Sequence, residues 1–184
     1  SSLKISSYIF CLLGPFFRSK KITENNLSKA FPLITETEKK KIIKKMWINY
    51  GKIFSEYSFI NNFRKSKLNE MISIENQDYL KEIEISKDPV VFISGHFNNF
   101  ELMAMCIEKF GIDLAAIYRP LNNEFLNPLM EKIRKKYICR KQVKKGMSGT
   151  REILRHFKNG TSIALMIDQR VSQGVKTNFF GHEA

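Results

Sequence analysis

Ile42, Ile43, Met46, Trp47, Tyr50, Ile53, Phe54 and Tyr57 recur at intervals of three and four, the period of a helix with one apolar face. The stretch from 22 to 87 therefore reads as a helical lead-in. Pro32 separates a first segment from a helix over 37–60, which Thr35 or Thr37 is placed to cap. From Pro89 the pattern changes to short apolar runs alternating with helical stretches. It predicts strands over 90–94, 113–118 and 161–167 and helices over 99–110, 123–136 and 148–159. Gly111 and Gly160 fall between a helix and the next strand, where a left-handed cap is needed. The alternation is a βαβ series, so the expected fold is α/β, a mainly parallel sheet flanked by helices. A helical region over 1–87 and an α/β core over 88–184 are expected to form one continuous domain.

The amino end adds an apolar patch from Tyr8 to Phe17, too short to cross a bilayer and interrupted by Gly14-Pro15. Arg18, Lys20 and Lys21 follow it directly. That order fits an interfacial anchor or the tail of a membrane helix whose start is missing, and it equally fits an amphipathic helix packed on a core. A chain that lacks an initiator Met and starts inside such a patch is expected to be cut from a longer one, and no cleavable signal pattern is visible.

Chemistry is expected where the first predicted strand ends. Val90-Val91-Phe92-Ile93 is β-branched and aromatic, follows Asp88-Pro89 and is broken by Ser94-Gly95, which reads as a buried strand entering a sharp turn. His96 sits just past it and Glu101 five positions on, with Asn98 or Asn99 available to cap the helix between them. On one helix that spacing would turn the two side chains about 140° apart. With His96 in the turn and Glu101 in the helix, the carboxylate can accept the imidazole N–H and poise the ring as a general base. The other predicted strands also end in polar residues, Arg119-Pro120 after Tyr118 and Asp168-Gln169-Arg170 after Ile167. Open parallel sheets bind ligands at the carboxyl ends of their strands, so a base, a guanidinium and a carboxylate converge on the functional edge.

Composition limits the partners. With 43% hydrophobic and 12% aromatic residues the chain is globular, and its net charge of +13 calls for a polyanion. Lys39, Lys40, Lys41, Lys44 and Lys45 form one basic cluster, and Lys132, Arg134, Lys135, Lys136, Arg140, Lys141, Lys144 and Lys145 a second. An anionic membrane, a phosphorylated lipid, an acidic carrier protein and a nucleic acid all satisfy that charge. A nucleic-acid module is disfavoured, since no helix-turn-helix, zinc-finger or RNP-like pattern occurs and the aromatics lie within apolar runs. Cys11, Cys106 and Cys139 form no Cys-x-x-Cys pair and read as small core residues. His96, His156 and His182 show no metal-ligand spacing, and His156 reads as lying on an exposed helix face.

Gly95-His96-Phe97-Asn98-Asn99-Phe100-Glu101 resembles the His-x4-Glu/Asp signature of the late acyltransferases of lipid A biosynthesis, within the wider lysophospholipid acyltransferase group. Tyr118-Arg119-Pro120-Leu121-Asn122-Asn123 resembles that family's second block, and Asp168-Gln169 with Gly174-Val175 and Phe179-Phe180-Gly181 its third. Asn26-Leu27, Ala30-Phe31-Pro32 and Trp47-Ile48-Asn49-Tyr50-Gly51 resemble its amino-terminal region, so the likeness runs along nearly the whole chain. Asn98 stands where a glycine is common, and the chain stops at Ala184, before the family's carboxyl-terminal region. The resemblance implies a glycerolipid-acyltransferase-like fold and transfer of a fatty acyl chain from acyl carrier protein to a hydroxyl of a phosphorylated glucosamine-disaccharide lipid. It places this step of lipopolysaccharide assembly at the cytoplasmic face of the bacterial inner membrane. It further implies catalysis by His96 and Glu101, substrate contacts from Asn99, Arg119, Pro120, Asp168, Gln169 and Gly174, and no cofactor or metal. Arg119 would stabilise the thioester oxygen or hold a phosphate. Asp168 would organise the site, paired with Arg119 or Arg170. The same chemistry on another glycolipid, an aminolipid or a lysophospholipid is the alternative.

Overall fold

The computed structural model describes residues 2–17, 19–67, 70–168, 176, 178–179 and 182–183. The amino-terminal helices are α1 (Ser2–Phe17), α2 (Lys20–Ala30), α3 (Glu36–Tyr57), α4 (Ile60–Lys65) and α5 (Asp78–Ser86). α3 starts where Thr35 and Glu38 form a capping box: the Thr35 hydroxyl accepts from the Glu38 N–H at 3.3 Å, and the Glu38 carboxylate accepts from the Thr35 N–H at 2.9 Å. α1 lies directly against α3. Ser6 Oγ donates to the Gly51 carbonyl at 2.5 Å and Ser7 Oγ to the Ile48 carbonyl at 3.2 Å. A Cβ on Gly51 would stand 2.5 Å from Ser7 Cα, so only glycine permits this approach. α1 runs through Gly14-Pro15 nearly to its end and packs one face on α3, yet Ile5, Tyr8, Leu12 and Phe16 stay exposed on the other. No helix among the described residues is long and apolar enough to cross a membrane.

The α/β part follows as β1 (Val91–Ser94), α6 (Glu101–Lys109), β2 (Leu114–Tyr118), α7 (Leu126–Ile133), β3 (Lys141–Lys144), α8 (Met147–Lys158) and β4 (Ser162–Met166). The four strands form an all-parallel sheet in the order β1-β4-β2-β3, and a short antiparallel pair, β5 (Asn178–Phe179) and β6 (His182–Glu183), lies apart from it. Helices cover both faces, as the β2 pleat requires. Leu114 packs with Met105, Ile107 and Ile138, whereas the next residue, Ala115, packs with Val143 and Ile163 beneath Ile153 and Phe157 of α8. Cys106 and Cys139 are buried, and burial pushes the Cys139 thiol up to about 12, which suits inert core residues. Gly111 and Gly160 have φ of 97° and 82°, the left-handed caps expected at those helix ends.

Several elements depart from the expected pattern. β1, expected to be a buried strand, lies at the edge of the sheet with Val91 and Ile93 exposed. β3 falls where no strand was anticipated, because Lys141-Gln142-Val143-Lys144 contains one apolar residue and pairs along a single edge, with β2. The helix expected over 123–136 is α7 followed by a π-helical turn, Arg134–Ile138, closed by a 3.0 Å bond from the Cys139 N–H to the Arg134 carbonyl. That wider turn fixes where Arg134 points.

Candidate active site

The sheet order brings β1 and β4 together although 72 residues separate their functional ends. Ser94 is in register with Met166, and the Ile167 N–H continues the ladder to the Ser94 carbonyl at 3.0 Å. Two residues further along each strand stand His96 and Asp168. Asp168 Oδ2 accepts the His96 backbone N–H at 2.7 Å, and Oδ1 meets the ring Nδ1 at 2.7 Å. Gly95 makes this possible, since a Cβ there would sit 3.1 Å from Asp168 Oδ2 and 2.8 Å from the Phe97 ring. The His96 N–H first, and then the ring, hold the Asp168 carboxyl below the usual carboxylate range. An ionised carboxylate only accepts, so Nδ1 carries the proton and the neutral ring has its lone pair on Nε2. The Phe100 ring meets the imidazole edge-on at 4.4 Å, and the His96 side chain is 29% exposed.

The turn from His96 to Glu101 has a strained centre. Asn98 has φ of 47°, the left-handed region that glycine enters most readily. Asn98→Gly is expected to leave stability within about 0.5 kcal/mol, and Asn98→Val to cost about 1–2 kcal/mol in urea unfolding. Equal stability of all three proteins would mean that the turn does not hold this geometry. Asn99 is buried and donates from Nδ2 to Glu56 Oε2 of α3 at 2.8 Å. It serves as an anchor of the turn, and the helix cap falls on Phe100, with no side-chain bond from either asparagine.

Glu101 does not take the partner expected for it. Its carboxylate, 6% exposed, receives Arg134 Nη2 at 2.6 Å and Nε at 3.0 and 3.2 Å, while the Tyr57 hydroxyl lies close to the same group. Burial, and then the charge of Glu101, push the Tyr57 hydroxyl above its ordinary range. Asp168 thus occupies the orienting position that the five-residue spacing suggested for Glu101. Asp168 bonds His96 and does not pair with the described Arg119. Arg170, Gln169 and Gly174 lie outside the described residues.

Arg119 is exposed at the end of β2 and makes no ion pair among the described residues, with Pro120 half-buried beside it. β4 separates β2 from β1, which puts Arg119 about 10 Å along the same carboxyl edge from His96. The preceding Tyr118 is tied to α7 by its hydroxyl, which donates to Glu131 at 2.8 Å. Sequence reasoning missed Glu56, Tyr57 and the true role of Arg134, because their partners are distant in the chain. The second basic cluster is also less free than it reads: Arg134, largely covered, pairs with Glu101, Arg140 pairs with Glu108 at 3.2 Å and Lys141 with Asp113 at 2.5 Å. His156 is only half-exposed and faces Glu152 at 3.7 Å, not on an open helix face.

Residues 3–184 match the family described as bacterial lipid A biosynthesis acyltransferase. A lipid A biosynthesis palmitoleoyltransferase of Escherichia coli (strain K12) is 26% identical over 131 residues, covering 64% of this chain and 41% of that protein. A lipid A biosynthesis acyltransferase of Shigella flexneri shows the same identity and coverage. The chain thus spans less than half the length of these curated relatives.

Proposed function

The chain belongs to the bacterial lipid A biosynthesis acyltransferase family, and on that premise we propose that its site performs O-acyl transfer from acyl carrier protein to a hydroxyl of a phosphorylated lipid A precursor. The observation that carries this reading is the His96–Asp168 hydrogen bond at the carboxyl edge of the sheet. A hydroxyl is a poor nucleophile at neutral pH. Nε2 of His96 removes its proton as the oxygen attacks the thioester carbonyl carbon, and Asp168 stabilises the imidazolium that forms. The tetrahedral intermediate then collapses with cleavage of the C–S bond, and the imidazolium returns the proton to the carrier's thiolate. No covalent acyl-enzyme is needed.

Arg119 offers a forked guanidinium on the same edge, which suits a substrate phosphate. Glu101 takes a supporting role: with Arg134 and Tyr57 it locks the first turn of α6 behind the histidine. The exposed Lys135, Lys136, Lys144 and Lys145 suit an acidic carrier protein. The exposed apolar face of α1 suits the cytoplasmic surface of the inner membrane, where both substrates meet. The test is transfer of a labelled acyl group from acyl carrier protein to a phosphorylated glucosamine-disaccharide lipid by the complete protein in detergent. Labelled acceptor is the expected product. Its absence, from protein that melts cooperatively and with an active relative run in parallel, overturns the reading.

A further inference from the structure

α3 carries lysines in two pairs four residues apart, Lys40 with Lys44 and Lys41 with Lys45, all exposed and none in an ion pair among the described residues. Each pair rims a separate apolar cavity. The first, of about 410 Å³, lies between α1, α2 and α3 and is floored by Cys11, Pro15, Ile43 and Trp47, with Lys20 on its edge. The second, of about 620 Å³, lies on the other flank of α3 against Phe31, Leu33, Ile34 and Ile42. Like charges at this helical spacing repel, so each pair is poised for an anion. Glu38, the carboxylate on the second rim, is already held by Thr35, and Lys20 shares Glu24 at 3.6 Å.

We infer that this half of α3 is a binding surface for anionic phospholipid, its lysine pairs holding headgroup phosphates while acyl chains enter the cavities beside them. The chemistry selects this ligand, because the site joins cations to apolar hollows. A free phosphate would leave the hollows empty, and a nucleic acid has no apolar tail to fill them. α1 adds a further exposed apolar row, since Ile5, Tyr8, Leu12 and Phe16 recur at helical spacing and Phe16 is 85% exposed. The inference does not depend on acyl transfer. It identifies where an anionic bilayer would be gripped, and the dyad has no part in it.

Trp47 makes the site its own reporter, since it is the chain's single tryptophan and forms the floor of the first cavity. The chain is titrated with vesicles of phosphatidylcholine, with and without phosphatidylglycerol, carrying brominated acyl chains that quench tryptophan on contact. Quenching is expected only with the anionic lipid. Removing the two lysines in Lys40→Gln/Lys44→Gln should weaken it about thirtyfold, as should Lys41→Gln/Lys45→Gln for vesicle flotation. Lys132→Gln/Lys135→Gln removes the same charge from another face and should weaken binding less than about threefold if the site is local. Equal quenching by both vesicle types, equal losses in all three variants, or protection by millimolar inorganic phosphate with no quenching by brominated lipid each overturns the inference. Acyl transfer to detergent-dispersed acceptor should be unchanged in Lys40→Gln/Lys44→Gln, so an inactive wild type and a failed lipid site give different results.

Discussion

Asp168→Asn lowers kcat about 10³–10⁴-fold while leaving KM within about threefold, because an amide no longer fixes the imidazole tautomer or supports the imidazolium. His96→Ala loses at least as much, and the double variant is no worse than His96→Ala alone, since the two residues act as one unit. The measurement is single-turnover acyl transfer by the complete protein, with thermal melting to show that the sheet edge survives. The wild-type carboxylate stays ionised well into acid: its folded pKa lies below the ordinary value near 3.8, so the bond to His96 is fully present above that value and lost as pH falls through the lower one. Near-normal turnover of Asp168→Asn would remove Asp168 from the mechanism and return the orienting role to another group.

Glu101 gives the second large effect, of a different kind. Glu101→Gln leaves Arg134 buried against a neutral amide, and breaking a buried pair costs about 3–5 kcal/mol. For a chain of this size that lowers Tm by roughly 6–20 °C. Arg134→Ala should destabilise similarly, whereas Glu101→Leu/Arg134→Leu together should cost less than either single change, because no charge is stranded. Urea and thermal unfolding of the four proteins decide it. If Glu101→Gln melts like wild type but has lost turnover, the carboxylate acts in the chemistry and the supporting role assigned to it here is wrong.

The contrast between these carboxylates shows what local pattern conveys. β1, β2 and β4 were legible because each is an apolar run bounded by Gly, Pro or polar residues, and the strand ends named His96, Arg119 and Asp168 correctly as neighbours on one edge. Strand order is not a local property. Nothing near Asp168 states that β4 inserts beside β1, so the partner of His96 was assigned to the nearest acid in the chain. Arg134 was concealed for the same reason, as a residue in a run of exposed lysines whose partner lies 33 positions away. The π-helical turn that aims it shifts hydrogen bonding by one residue, a change too small for an apolar period to register. β3 was missed because one buried Val143 between polar residues has no run and no alternation long enough to read.

The insertion of β4 between β1 and β2 also sets a schedule for the nascent chain. His96 leaves the ribosome 72 residues before Asp168, about 4–14 s earlier at the usual pace of synthesis. Through that interval β1 has no neighbour in its sheet, since the strand that pairs with it is made last of the four. A partly made chain therefore holds His96 without the carboxylate that bonds it, and the pair comes into being only when the last of the four strands is in place.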